Sequence, residues 1–282
     1  MTADDFSADG AKAKELAHKA RPWVEKLARL GYATKGVVYT IIGVIAALAA
    51  LRGGGRTADS RGALEEIVRQ PYGRVMLIVV AVGLACYALW RLTQGVLDTE
   101  DKGSEWKGLA VRAGYACIGF VYFGLGYSAV SLVLGGGAGD SSDEKSRAWS
   151  ATFMALPFGR LLVGLGGLGF IGFGLWQCYK AYKRKFREKL KRGEMGEHTS
   201  DFITRAGQFG LASRGVVFGV VGVFLIQAAL HARAHEARGL GGALHALEER
   251  AYGPWILGVV ALGLVAYGFL MFAHALYRRI DV

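Results

Sequence analysis

The sequence predicts an all-α, polytopic membrane protein with six transmembrane helices, arranged as three tandem helical hairpins. Three observations support this class: an apolar composition, six long uncharged segments and an internal repeat. Of the 282 residues, 52% are apolar, 20% are charged and 42 are glycine, and the mean hydropathy is +0.29. A soluble domain carries about 25% charged residues and about 7% glycine. The composition excludes a disordered chain, a coiled coil and a disulfide scaffold, and it disfavours an ordinary soluble domain.

Six segments contain no Asp, Glu, Lys or Arg and lack the polar face of a soluble core helix. A spanning helix needs about 20 such residues. Three segments have only sixteen, and flanking basic side chains extend them if their charged heads reach the interface. Six buried helices of a large soluble core are the weaker alternative. The segments are Gly36–Leu51, Val75–Trp90, Ala113–Leu134, Leu161–Lys180 with the lysine excluded, Gly215–Leu230 and Ile256–Tyr277.

Basic residues predict the orientation. Residues 1–35, 91–112, 178–214 and 278–282 hold 23 of the 34 Lys and Arg residues. Because positive residues mark the cytoplasmic side, we expect a bacterial plasma (inner) membrane protein with both termini in the cytoplasm. The run Lys180–Arg192 carries most of this bias and lies next to a span, so the net charge of +11 points to anionic lipid headgroups rather than to nucleic acid.

The segment before the first span shows no cleavable signal sequence. Lys12–Tyr32 has Leu16, Trp23, Leu27 and Leu30 near one stripe of a helix. This pattern predicts an amphipathic helix that lies in the membrane interface. A solvated helix that leads into the first span is equally compatible with it.

A repeated two-helix unit is the strongest signal in the sequence. The motif Gly-x-Ala-x-x-Gly-x-Val-[Tyr/Phe] begins at Gly31, Gly114 and Gly210. A second motif, [Tyr/Phe]-Gly, opens the even-numbered spans and is followed at fixed offsets by a glycine and an aromatic residue. Agreement at so many offsets indicates internal duplication. It predicts hairpin units at 27–98, 109–186 and 203–282, linkers at 99–108 and 187–202, and an N-terminal segment at 1–26.

These motifs resemble those of a bacterial family of integral membrane proteins, the domain-of-unknown-function family 1206, in which a two-helix unit occurs three times. The resemblance covers nearly everything after residue 26. It rests on the opening Gly-Tyr-x-x-[Lys/Arg]-Gly-Val-Val-[Tyr/Phe] and on Pro-[Tyr/Phe]-Gly-Arg before the second helix. The middle unit departs at Ile118, where the others carry Lys35 and Arg214, and the third has Gly253-Pro254 in reversed order. The resemblance implies the architecture and brings no activity.

Repeated glycines are predicted to pack the helices together. At 1.5 Å per residue, Gly43 and Gly83 both lie about 12 Å from the inner basic residues of their helices. Small residues at one depth let two helices approach closely in lipid, so we expect this pair to bring the two helices of one hairpin together. The nine packing glycines are Gly36, Gly43, Gly83, Gly119, Gly126, Gly169, Gly215, Gly222 and Gly263.

Repeated aromatic residues lie one helical turn closer to the inner side. All three hairpins enter the membrane in one orientation, so an axis along the membrane normal relates them, and a pseudo-threefold bundle is the natural closed arrangement. We expect the rings to fill space between the helices; a shared axis, either packed shut or open as a cavity, is the alternative. The rings are Tyr39, Tyr122, Phe218, Tyr87, Phe173 and Tyr267.

Residues suited to catalysis or to cofactors are scarce. No predicted span contains Asp or Glu, which disfavours ion-coupled transport, and only His274 lies within a span, which disfavours haem. His231 and His235 are four residues apart near His245, and a zinc site there is the alternative to solvated histidines. We expect no catalytic residue, no metal and no cofactor.

Basic side chains near the inner ends of the spans are the candidate ligands of lipid headgroups. They form either a ring for anionic lipid or ordinary side chains that extend to the interface. The sequence thus predicts a non-enzymatic structural or interaction protein that binds the bilayer's anionic headgroups or a partner, either a second copy or another membrane protein. A small-solute channel or facilitator along the central axis is the alternative. The candidates are Lys35, Arg91, Lys180, Lys183, Arg184, Lys185 and Arg214.

Overall fold

A computed structural model confirms the six predicted spans. It describes residues 3–51, 59–98, 103, 105–136, 142–156, 158–191, 193, 195–249 and 252–279, without the side chains of Ser142 and of residues before Glu25. Six of its helices are long and apolar enough to cross a membrane. They are α1 (Ala3–Leu51), α3 (Gly73–Leu97), α4 (Trp106–Val133), α6 (Gly159–Tyr182), α7 (Glu197–His231) and α9 (Gly253–Tyr277).

Three shorter helices, α2 (Ser60–Arg69), α5 (Ser142–Met154) and α8 (Leu240–Glu248), each connect the two spans of one unit. The carboxylate of Asp59 caps α2 by accepting hydrogen bonds from the backbone of Arg61 and Gly62. Asp143, on α5 of the second unit, caps α8 of the third by accepting from Gly239 at 2.7 Å and Gly242 at 3.0 Å. The connecting helices therefore join neighbouring units as well as neighbouring spans.

The predicted amphipathic segment is the beginning of α1 and not a separate helix. The backbone is helical without a break from Ala3 to Leu51. Leu16 and Trp23 lie outside the described side chains, while Leu27 is half-buried and Leu30 is exposed. The location of this stripe in the membrane interface stays a prediction.

The spans pack in a cyclic order. The most extensive contacts join α1 to α9, α3 to α4 and α6 to α7, and each of these pairs lies between two units. Within units, α1 packs on α3 and α7 packs on α9, whereas α4 and α6 make little contact along their described lengths. The order agrees with a closed bundle of three hairpins, but the second hairpin is splayed, and threefold symmetry itself stays a prediction.

Glycines of the odd-numbered spans pack between units. A β-carbon on Gly43 would lie 2.8 Å from the backbone oxygen of Ala261 on α9, and one on Gly222 would lie 2.6 Å from that of Gly167 on α6. Gly36 makes an equally close contact with α9, Gly215 with α6 and Gly119 with α3. Gly126 makes a looser contact with α3. The predicted meeting of Gly43 with Gly83 is therefore wrong, because Gly43 faces the adjacent unit.

Glycines of the even-numbered spans pack within units, with one exception. A β-carbon on Gly83 would lie 1.8 Å from Oγ1 of Thr34, and one on Gly263 would lie 1.8 Å from Oγ of Ser213. These contacts agree with the predicted packing role. The predicted packing role of Gly169 is wrong, because no heavy atom lies within 4 Å of a β-carbon placed there. The separation of α4 from α6 explains the difference.

The [Tyr/Phe]-Gly motif forms the sharp turn into each returning span. Its aromatic residues have left-handed backbone conformations, with φ of 62°, 61° and 61° at Tyr72, Phe158 and Tyr252. Such conformations are strained for bulky side chains. The glycine that follows is required by close backbone approach, since a β-carbon on Gly159 would lie 1.8 Å from the carbonyl oxygen of Phe153.

We expect Gly159→Ala to lower the free energy of unfolding by about 2 kcal/mol or more, because the added methyl group overlaps a backbone carbonyl. Gly166→Ala on the same helix is the control. A β-carbon at Gly166 meets no heavy atom within 4 Å, and alanine favours a helix by about 0.5–1 kcal/mol. Thermal unfolding in detergent measures both, and equal stability of the two variants would contradict the packing explanation.

Candidate functional site

The six predicted aromatic rings come together inside the bundle as three edge-to-face pairs. Each pair joins the second span of one unit to the first span of the next, with ring centroids 4.6–5.1 Å apart. Such contacts contribute about 0.5–1.5 kcal/mol beyond the buried area. The rings therefore reinforce the same interfaces as the odd-span glycines. The pairs are Tyr87 with Tyr122, Phe173 with Phe218, and Tyr267 with Tyr39.

Lys35 lies in a cage of tyrosines. Its side chain is buried, and Nζ donates a hydrogen bond of 3.0 Å to the hydroxyl of Tyr87. The aromatic faces attract the ammonium group through their quadrupoles. The predicted extension of Lys35 to the interface is therefore wrong, because α1 turns this face toward the bundle interior. Nζ lies 4.9, 5.2, 5.6 and 5.8 Å from the ring centroids of Tyr87, Tyr122, Tyr267 and Tyr39.

Arg214 occupies the repeat position of Lys35 in the third unit and shares two of its rings. Its Cζ lies 5.4 Å from the ring centroid of Tyr39 and 4.8 Å from that of Tyr267. It also lies 4.8 Å from the ring of Phe218 and 5.9 Å from that of Phe173. Nη1 donates to the Tyr267 hydroxyl at 3.0 Å, whereas the buried Nε has no hydrogen-bond partner.

Arg91 approaches the same cluster from α3. Its Nε donates a hydrogen bond of 2.9 Å to the Tyr87 hydroxyl, and Nη1 donates one of 2.8 Å to the side chain of Gln94. The Tyr87 hydroxyl thus accepts from Arg91 and Lys35 together. These two bonds limit the separation of the two cationic nitrogens to about 6 Å, a distance at which like charges repel strongly in a medium of low dielectric constant.

We call Lys35, Arg91 and Arg214 the cationic core. Among the described residues, no ion pair joins any of the three to a carboxylate. Lys35 shares the Tyr87 hydroxyl with Arg91 and the rings of Tyr39 and Tyr267 with Arg214, so its charged neighbours in the cluster are positive. Buried charges are stable only when they are compensated. Tyrosine rings and hydroxyls provide partial compensation, and the cluster keeps a net positive charge.

The other candidate headgroup ligands lie outside the cluster, at the C-terminal end of α6. Lys183 and Arg184 are exposed, and Lys180 and Lys185 are half-buried. We call Lys183, Arg184 and Lys185 the basic patch. The Lys185 Nζ lies 5.0 Å from the ring centroid of Tyr179 and 5.7 Å from that of Trp176, and these two exposed rings stack on each other.

Sequence reasoning did not assign Tyr32 and Tyr115, which complete the aromatic cluster. The ring of Tyr32 contacts Tyr87 edge-to-face at 5.4 Å and lies 5.6 Å from His274. The ring of Tyr115 lies 5.2 Å from Arg91 Cζ. Both residues stand second in the first repeat motif, so their shared position was the signal available in the sequence.

Histidines at the end of α7 and on α8 contact glutamates. His231 Nδ1 lies 2.6 Å from a carboxylate oxygen of Glu236, and this hydrogen bond lowers the pKa of the Glu236 carboxyl from its ordinary value. His245 lies 3.3 Å from Glu248 in the same way. Within the described residues, His, Cys, Asp and Glu side chains form no group of three that could hold a metal. The zinc alternative thus gains no support from this loop.

Comparisons with known proteins agree with the threefold repeat. A family described as Domain of Unknown Function (DUF1206) matches the chain three times, at residues 30–98, 113–184 and 209–278. A protein of Bacillus subtilis (strain 168) named "Uncharacterized protein YxxB" is 34% identical over 265 residues, which cover 94% of this chain and 95% of that protein. No solved structure matches the chain.

We expect Tyr87→Phe to destabilise the protein by about 1–3 kcal/mol, because it removes the acceptor shared by the buried Lys35 and the half-buried Arg91. Tyr127→Phe on α4 is a matched control, since the side chain of Tyr127 is exposed and its hydroxyl is not part of the cluster. The measurement is thermal unfolding in detergent. Equal melting temperatures for the two variants would contradict a structural role for the shared hydroxyl.

Proposed function

The chain belongs to the DUF1206 family, and we propose that it is a non-enzymatic structural or interaction protein. It binds anionic lipid headgroups at the cytoplasmic face of a bacterial plasma membrane. The carrying observation is the basic patch, because its side chains lie at the inner end of a span beside exposed aromatic rings. Multi-pass insertion follows from the six apolar helices.

Electrostatics and position support headgroup binding. A basic residue near an anionic membrane surface contributes about 1 kcal/mol of attraction. The basic patch concentrates three such residues next to Lys180 and Lys189. Trp and Tyr prefer the headgroup level, and Trp176 and Tyr179 are exposed there beneath Lys185. The patch therefore combines the two residue types that anchor proteins to the interface.

The opposite ends of the even spans fit the outer interface. Tyr72, Phe158 and Tyr252 are more than 80% exposed and lie where the chain turns into each returning span. Exposed aromatic residues at both ends of the bundle match the aromatic belts of membrane proteins. The excess of basic residues in the segments on the same side as both termini supports cytoplasmic termini.

The centre of the bundle favours a binding or structural role over solute passage. Lys35 and its tyrosine cage occupy the space that the repeated rings share, so a solute path would have to displace buried aromatic side chains. The cationic core also contains no acid paired with a base among the described residues, and such pairs are what proton-transfer catalysis requires.

We expect the triple substitution Lys183→Gln, Arg184→Gln and Lys185→Gln to lower the retention of phosphatidylglycerol by the purified protein at least tenfold. A matched triple at three exposed outer residues, Arg69→Gln, Arg74→Gln and Arg147→Gln, removes the same charge from the other face. Native mass spectrometry of lipid carried through purification, repeated at increasing salt, measures the effect. Equal losses in the two triples would show that net charge, and not the patch, holds the lipid.

We expect a fluorescent protein fused to the C-terminus to fold and fluoresce in the cytoplasm of intact bacteria. A periplasmic phosphatase fused at the same place should stay inactive, because both termini are proposed to lie inside. The reverse pattern would place the termini outside and would move the basic patch to the outer face.

A further inference from the structure

We propose that the cationic core is an intramembrane binding site for the anionic, phosphate-type headgroup of a lipid-like amphiphile, which enters sideways between α4 and α6. This inference goes beyond surface lipid binding, because it concerns buried residues and a different route of access. The proposal rests on two observations: an opening in the bundle wall, and cations at the end of that opening that pair with no carboxylate among the described residues.

The opening lies inside the second hairpin. In the first and third units the two spans touch at Gly83 and Thr34, and at Gly263 and Ser213. The corresponding residues of the second unit are Gly169 and Cys117, and both are exposed. A β-carbon on Gly114 also meets nothing within 4 Å, whereas its counterparts Gly31 and Gly210 lie against the backbone of the returning span. Accordingly, α4 and α6 bury the smallest share of their surface among the six spans.

The opening leads to the cationic core. Tyr122 on its α4 side contacts Lys35, and Phe173 on its α6 side contacts Arg214. The side chain of Phe173 is 37% exposed, whereas those of its repeat counterparts Tyr87 and Tyr267 are only 0% and 3% exposed. The exposed ring therefore marks where the bundle wall is missing, next to the half-buried Arg214.

The cations at the end of the opening have unused hydrogen-bond donors. Arg214 has five N–H donors, donates to Tyr267 through Nη1 and keeps a buried Nε without a partner. Lys35 donates to Tyr87, and an ammonium group has three donors. Arginine binds phosphate oxygens in bidentate geometry, and such charge-assisted bonds are about twice as strong as neutral ones. A phosphate-type group would supply the negative charge that the described side chains do not.

The depth of the site fits a lipid of the inner leaflet. Lys35 and Arg214 each directly precede the uncharged stretch of their span, which is where headgroup and hydrocarbon regions meet. A headgroup bound there would leave its acyl chains between α4 and α6. A free phosphate ion has the same charge chemistry but needs no opening toward lipid, so experiment can separate the two.

The test uses the full chain in detergent after extensive delipidation, with phosphatidylglycerol and phosphatidylcholine added back in turn and native mass spectrometry as the readout. We expect the wild type to hold one phosphatidylglycerol that resists removal, and Arg214→Gln and Lys35→Gln to hold it at least tenfold more weakly. Arg214→Lys keeps the charge and should retain it. The basic-patch triple should lose its loosely held lipids and keep this one, so this proposal and the surface proposal can fail independently.

Gly169→Trp tests the route, because a large side chain would fill the opening at the repeat position where the other two hairpins touch. Leu168→Trp is the matched control, since Leu168 is exposed and one residue turns the side chain about 100° around the helix. We expect Gly169→Trp to lower retention of phosphatidylglycerol at least tenfold and Leu168→Trp to leave it unchanged. Melting temperatures and gel-filtration profiles show whether each variant is folded.

Four outcomes would overturn the proposal. The first is wild-type protein that retains no anionic lipid, and the second is retention unchanged in folded Arg214→Gln and Lys35→Gln. The third is stabilisation by inorganic phosphate that matches stabilisation by phosphatidylglycerol and is insensitive to Gly169→Trp, which would indicate a soluble anion. The fourth is a lipid-free dimer in which a second copy covers α4 and α6.

Discussion

Close backbone contact between neighbouring hairpins holds this bundle together. Lipid tails are as apolar as the helices, so association in a membrane depends on packing at short range. Glycines of α1, α4 and α7 provide that contact against α9, α3 and α6. One turn closer to the inner side, the same three interfaces carry the three aromatic pairs. The aromatic cluster and the cations within it therefore occupy positions that the backbone contacts determine.

The cluster stabilises cations without the usual help of carboxylates. Taking a charge out of water costs several kcal/mol even in a relaxed protein interior. Each cation–π contact returns about 0.5–2 kcal/mol, and Lys35 has four such contacts and one hydrogen bond. The compensation is incomplete, because Arg91 and Arg214 lie against the same rings. A buried positive cluster in a membrane protein is by itself grounds for a functional hypothesis.

Spacing in the sequence was sufficient to predict the spans and the units but insufficient to predict which residues meet, since Gly83 contacts Thr34 and not Gly43. It located the six spans, the three units and the six rings, since hydropathy and repeat offsets depend on position along one helix. It could not show that Gly43 meets α9 and not α3, because the cyclic order of helices decides which neighbour a face meets. The burial of Lys35 could not be predicted for the same reason: a single basic residue at the end of a span does not indicate which face of the helix it occupies.

The second hairpin departs from the repeat at positions that pack the other two hairpins together. Ile118 stands where the first and third units carry Lys35 and Arg214, and Gly169 makes none of the contacts of Gly83 and Gly263. The repeat alone would have predicted three equal hairpins. The departures of the second unit from the motif were visible in the sequence. Their effect on the packing of α4 and α6 was not, because a sequence does not show which glycine contacts fail to form.

The contact between α1 and α9 has a consequence for how such a protein can arise. It joins the last unit to the first, so the three hairpins form a closed ring that three separate copies of one hairpin could build as a homotrimer. In a homotrimer every copy carries the same side chain, and a basic residue at the position of Lys35 would place three cations around one centre. Fusion into a single chain lifts that restriction. One copy can then carry the neutral Ile118 and open its helices, while the other two keep their charges and all three contacts between units persist.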